Sequence, residues 1–254
     1  MACGGPPASR RSGAGEQSDF CYPFAAMLID TTSLSKTVDA VSAVHFSGGV
    51  FAAGERLQVA QWIAGRQGVD GSYADTFAGF PIERSKGIAL FTGERITSAS
   101  ARHILGEEAS RVLRMLRVRD RHVTQALEAA DEGLMRCLAR AAADPRHRNP
   151  GLFCCGKCSV GLWRNLLSGG LDRCEERLQR GAAHLRSVRD GRQGWQAYPF
   201  WYTVLALGDM DTPEAKAELR YAAPALERTA ARKTPAATFA RRRHELAVRT
   251  LSRL

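Results

Sequence analysis

Apolar residues recur along most of the chain at the three- and four-residue spacing that puts them on one face of an α-helix. The clearest unit runs from Glu176 to Arg228. Leu178, Ala182, Leu185 and Val188 form one face of a first helix. It stops in Arg189-Asp190-Gly191-Arg192-Gln193-Gly194-Trp195, where two glycines permit a tight backbone and Trp195 folds back onto the apolar face. Pro199 opens a second helix, Phe200 to Leu207, which is apolar nearly all round and therefore expected to be buried. Gly208 ends it. Thr212-Pro213-Glu214 caps a third helix with the stripe Ala215, Leu219, Ala222 and Leu226, and Pro224 is expected to kink or end it near Ala223. Arg228 to Pro235 reads as a linker.

The same spacing predicts helices over Thr32 to Phe46, Glu55 to Arg66, Pro81 to Phe91, Val123 to Ala143, Cys158 to Leu167 and about Thr238 to Arg253. Another, capped by Thr97 or Ser98, carries Ala101, Leu105, Val112 and Leu116. No segment alternates with period two. About ten helices and no strand place the chain in the all-α class, with short connections that favour antiparallel hairpins. Met1 to about Ser18, rich in Gly, Pro, Ser and Arg, is expected to be disordered, and 19–254 to form a single domain.

An earlier stretch copies the unit, so that 55–116 and 176–228 read as an internal repeat. Glu55-Arg56-Leu57-Gln58 repeats Glu176-Arg177-Leu178-Gln179. The turn Arg66-Gln67-Gly68-Val69-Asp70-Gly71-Ser72-Tyr73 places Tyr73 where Trp195 stands in the later copy, and Gly93 and Thr97 match Gly208 and Thr212.

A Gln, an Asp-Gly and then an aromatic, closing an outer helix and leading to an inner one, resembles the repeat turn of the terpenoid cyclase and protein prenyltransferase superfamily. The resemblance implies an α/α toroid of inner and outer helices, and isoprenoid cyclisation or prenyl transfer as the activity. It departs from the family at two points. Asp209-Met210-Asp211 lacks the fourth acid of the squalene-cyclase Asp-x-Asp-Asp motif. Asp172-Arg173-Cys174 with a downstream His244 has the spacing of the prenyltransferase zinc set but not its aromatic-rich surroundings.

Composition narrows the partners. A chain of 254 residues with 44% apolar content can bury a sizeable core. No run is long and apolar enough to span a membrane and no apolar leader opens the chain, so a soluble, cytoplasmic protein is expected. The net charge of +10 comes mainly from arginine. Its densest run, Arg241-Arg242-Arg243-His244, reads as a solvated helix face, and nucleic acid is not the expected partner. Seven cysteines without a secretory signal suggest free thiols or a metal site.

An isoprenoid site needs aromatic walls, because ring faces stabilise carbocations and exclude water. Tyr73, Phe77, Phe80, Trp195, Tyr198, Trp201 and Tyr202 gather at the two turns and are the substrate-binding candidates; packing of the turns onto the core is the competing reading. Asp75, buried among such rings, would be a general acid with a raised pKa; in a loop it would be a turn residue. Phe153-Cys154-Cys155-Gly156-Lys157-Cys158 is the most unusual string. Cys155 and Cys158 have the Cys-x2-Cys spacing of zinc and redox sites, and Cys174, His147 or His184 would have to complete a zinc set. The candidate metal ligands are therefore Cys155, Cys158 and Cys174. His103 and Glu107, one helical turn apart, read as a surface charge pair. No Gly-rich phosphate loop, nucleophile elbow or kinase motif is present. The first expectation is a prenyltransferase- or cyclase-like protein with an aromatic cavity. The alternative is a non-catalytic helical-repeat module that binds a protein or lipid.

Overall fold

The computed structural model describes residues 28–144, 149–169 and 171–254. The expected disorder of Met1 to Ser18, and the candidate ligand His147, lie outside these residues.

The chain is all-α. Ten α-helices occur among the described residues: α1 Leu34–Phe46, α2 Ala53–Ala64, α3 Pro81–Lys86, α4 Ser100–Leu116, α5 Arg121–Ala143, α6 Gly156–Leu167, α7 Cys174–Leu185, α8 Phe200–Gly208, α9 Pro213–Ala230 and α10 Thr238–Leu251. Three starts follow directly from side-chain chemistry. Ser33, Asp120 and Thr212 accept the backbone N–H groups of Lys36, Val123 and Ala215 at the heads of α1, α5 and α9. No helix among the described residues is long and apolar enough to cross a membrane.

The centre of the fold is α4 packed against α6, the most extensive helix contact. Every residue from Ile104 to Leu113 is buried, and so is every residue from Cys158 to Leu166. Gly161 of α6 lies against Ile104 of α4 and lets the two backbones approach. Around this pair, α1, α2 and α5 pack on the α4 side, while α7 and α8 pack on the α6 side. Helices α9 and α10 form a pair that closes over α7 and α8.

Because α4 and α6 are enclosed on all sides, their polar residues must satisfy one another. Glu108 accepts from Arg111, Arg164 and Tyr202, Glu107 accepts from Asn165, and Arg114 bridges Asn165 and Asp131. Glu107 is therefore not half of a surface charge pair with His103. It is 2% exposed and bonded across the α4–α6 contact.

Four local expectations give way. Neither Thr97 nor Ser98 caps α4, whose N-cap is Ala99 with no side-chain cap bond. The helix from Pro81 stops at Lys86, because Gly87 turns to φ +75 and starts a two-stranded antiparallel hairpin, Ile88–Ala89 with Arg95–Ile96, that reverses at Gly93. Pro224 does not end α9. It sits on the exposed side, while the buried Ala222 and Leu226 hold the helix to the core on the other side. The linker expected from Arg228 is accordingly helical to Ala230.

Candidate thiol and metal centre

The loop before α6 is bent by a strained residue. Cys154 has φ +55, and the N–H of Cys155 donates to the carbonyl of Phe153 at 2.6 Å, a one-residue turn of the γ type. Ser159 ties the bend to the helix: its hydroxyl accepts from the N–H of Phe153 at 2.9 Å and donates to the carbonyl of Cys155 at 2.9 Å. The result places Cys155 at the N-cap of α6 and Cys158 in its first turn, with their sulfurs 3.6 Å apart.

The imidazole of His103, near the start of α4, faces this loop, with Nδ1 3.3 Å from Cys158 Sγ. Nδ1 or Nε2 of His103, Cys154 Sγ and Cys158 Sγ all lie within 4.8 Å of one another. Tyr73 covers the other face of the imidazole, stacked at 3.6 Å, and its hydroxyl is 2.8 Å from Cys137 Sγ on α5. Phe153 closes the ring cluster, 5.7 Å from His103 and 6.0 Å from Tyr73.

Tyr73 reaches this position because two helices lack side chains where its turn lies. At Gly106 of α4 a Cβ would overlap the Thr76 hydroxyl, and at Gly133 of α5 it would overlap the Ala74 carbonyl. The turn is thus clamped between α4 and α5. The second turn also approaches the thiols: at Gly156 a Cβ would meet the Tyr198 ring at 2.9 Å, and Tyr198 stacks on Trp163 at 5.9 Å.

The electrostatics divide the thiols. Cys155 is pulled down to about 4, first by the hydrogen bond with Cys158 and further by Ser100 and the backbone N–H groups of Lys157 and Cys158. Cys158 is pushed up by that same partnership and by burial, and burial raises Cys154. Burial also lowers His103, so the imidazole is held neutral, the form that binds a metal. Burial raises Tyr73, helped by Cys137, and takes Tyr198 up to about 12.

The other candidates are distributed around the fold. Cys174 stands at the head of α7, where its thiol donates to the Leu166 carbonyl at 3.4 Å. His184 lies 6.5 Å from the Tyr198 ring, and His244 is engaged with the Arg232 carbonyl at 3.0 Å. Asp75 is 61% exposed and pairs with Arg136 at 2.7 Å, so the desolvation an acid role depends on is missing. Phe77 is buried in the core, and Phe80 lies beneath the Arg66 guanidinium. Trp195 donates its Nε1–H to the buried Glu218, which also holds Arg189. Tyr202 is a core residue bonded to Glu108. Trp195, Tyr198 and Trp201 share a cavity of about 350 Å³ with Arg192 and Arg228 on its lining; Tyr73 is not part of it.

Sequence spacing brings Cys155 and Cys158 together but does not reveal their partner. His103 lies 55 residues earlier, and its only local signal is a histidine at the start of a helix. Comparison with models of protein families, with curated proteins and with solved structures returns no match.

Proposed function

We propose that this chain is a thiolate metalloprotein that holds a zinc-type cation between α4 and the Cys154–Cys158 loop. The carrying observation is that His103, Cys154 and Cys158 converge from two elements to within 4.8 Å. A tetrahedral zinc with its usual Zn–S and Zn–N lengths has S–S edges of about 3.8 Å and S–N edges of about 3.5 Å. The separation of 3.3 Å from Cys158 Sγ to His103 Nδ1 has this scale. Two thiolates and a neutral imidazole suit zinc better than magnesium or calcium, which take oxygen ligands. Three protein ligands leave a fourth position for a substrate atom, and a cation there would make a bound water or thiol more acidic. Tyr73 orients the imidazole by stacking, and Cys155 lies at the rim, where an incoming group would meet it.

Metal analysis of the purified full chain tests this. About one zinc per chain is expected, lost in His103→Ala and Cys158→Ser and kept in Cys174→Ser. A cobalt-loaded protein should absorb in the thiolate charge-transfer region. A wild-type metal content no higher than that of the two ligand variants would sink the reading.

A second reading rests on the Cys155–Cys158 pair itself. An acidic N-cap thiol beside a buried partner 3.6 Å away is the arrangement of a dithiol that cycles to a disulfide. A measurable reduction potential for the metal-free protein, abolished in Cys155→Ser, favours it.

The superfamily resemblance enters as a proposal for the arrangement of the helices. Antiparallel bridges close both turns, Gln67 with Phe77 and Arg189 with Trp195, which supports reading them as two copies of one unit. The cavity shared by Trp195, Tyr198 and Trp201 is where an isoprenoid-type ligand would bind.

A further inference from the structure

The second half of α4 and the end of α6 open onto another cavity, of about 690 Å³, that shares no lining residue with the thiol centre. Its buried end carries two guanidinium groups, Arg111 at 7% exposure and Arg164 at 4%. Both bond the same carboxylate: Glu108 accepts from Arg111 Nε at 2.7 Å and from Arg164 Nε at 2.5 Å. The third partner of Glu108, Tyr202, is neutral, because burial holds its proton far above the usual range. Two cations therefore share one buried anion. The next carboxylate, Asp209, is 57% exposed and only approaches Arg164 to 3.7 Å.

Donors are left over on both arginines. Arg111 Nη1 meets the Met115 thioether, a weak acceptor, and its other terminal nitrogen bonds Ser42. The terminal nitrogens of Arg164 make no hydrogen bond to any described residue. His45 also lines the cavity, and its Nε2 is buried without a partner among the described residues. Phe46, Phe91, Leu205, Leu207 and Leu246 supply an apolar part of the wall, and the exposed Asp209, Asp211, Lys216, Arg249 and Arg253 also line the cavity.

A buried excess positive charge is costly unless an anion matches it. Guanidinium donors suit the planar or tetrahedral oxygens of carboxylate and phosphate, and an apolar wall suits a body with no hydrogen-bonding groups. We infer that this cavity binds an amphipathic anion: an apolar molecule with a single carboxylate or phosphate head at Arg111 and Arg164 and its body against Phe46, Phe91 and Leu207. The inference stands independently of the metal site.

Calorimetric titration of the full chain tests it, with decanoate, decyl phosphate, 1-decanol and inorganic phosphate as probes. One or both amphipathic anions should bind one per chain, with decanol and inorganic phosphate at least about 10-fold weaker. Which of decanoate and decyl phosphate is tighter identifies the head. Removing Arg164 endangers folding, so the decisive variant is Gly208→Phe. Gly208 lines the cavity, and a Cβ there has no heavy atom nearer than Thr250 Oγ1 at 3.9 Å. The phenyl ring should occupy the body site and weaken the anion by at least about 10-fold without lowering Tm. Cys158→Ser should bind the anion as wild type does. Absence of binding to either anion, equal binding of decanol, or full binding by folded Gly208→Phe would overturn the inference.

Discussion

His103 Nδ1 lies 3.3 Å from Cys158 Sγ although 55 residues separate them, because α4 and α6 pack along their whole lengths with their N-terminal ends together. The imidazole is fixed on its far side by the Tyr73 ring at 3.6 Å. Substituting Tyr73→Phe keeps that stack and removes only the hydroxyl contact with Cys137. A loss of about 1 kcal/mol in urea unfolding is expected, the usual worth of one partly buried hydrogen bond. Unchanged stability would mean that the hydroxyl and thiol do not bond.

Cys155 should be the first thiol alkylated. Its hydrogen bond with Cys158 and the head of α6 hold it near 4, whereas Cys154 and Cys158 are raised. Iodoacetamide at pH 6, read by peptide mass spectrometry on metal-free protein, should label Cys155 ahead of the others. In Cys158→Ala the main cause of the depression is gone, and the apparent pKa should climb toward the ordinary 9.0. Equal labelling of all three thiols would contradict the N-cap geometry.

Glu108 is the keystone of the buried network. Burial pushes its carboxyl up, but Arg111 and Arg164 overcome this and hold it at about 2. A depressed carboxylate contributes stability above its unfolded pKa, and that contribution is lost as pH falls from about 4.5 toward 2. Glu108→Gln leaves two buried guanidinium groups without a counter-charge and should cost about 3–5 kcal/mol at pH 7. Its stability should also vary less between pH 5 and pH 2 than that of wild type, as measured by denaturant midpoints.

Glu107 shifts the other way. Burial raises it to about 8, against the opposing hydrogen bond from Asn165. The folded state keeps a proton that the unfolded chain releases above its ordinary 4.5, so stability should fall as pH rises from 4.5 to 8 and level off beyond. Glu107→Gln retains the Asn165 contact and abolishes the ionisation. It should remove this slope and exceed wild type by roughly a few kcal/mol at pH 9. A wild type equally stable at pH 5 and pH 9 would place the proton elsewhere.

Short-range pattern was enough for what is set within a few residues. The stripe of Val123, Leu127, Ala130, Leu134 and Leu138 marks α5, and all are buried except Leu127, which is half-buried. Thr212 caps α9 as its hydroxyl and the following proline require. Phe200 to Leu207 reads as buried because it is apolar all round, and Tyr202 to Leu207 are buried. The Cys-x2-Cys spacing at the head of a helix already places Cys155 and Cys158 side by side, since an N-cap and the third residue after it share one turn.

Tertiary packing decided the rest. Arginines and glutamates on α4 look like a solvated face, and only their enclosure by α6 and α8 makes Glu107 and Glu108 buried partners of Asn165, Arg164 and Tyr202. Asp75 sits among aromatic residues in the chain but points to solvent and Arg136, because Gly106 and Gly133 seat the turn with its other side inward. Pro224 passes through a helix because packing through Ala222 and Leu226 outweighs one lost backbone hydrogen bond. His103 joins the cysteines for the same reason. Helical periodicity states which face of α4 and which face of α6 are inward, but the axial register between them is set by how their side chains and Gly161 interlock. That register, which no local pattern encodes, turns a histidine and a cysteine string into one site.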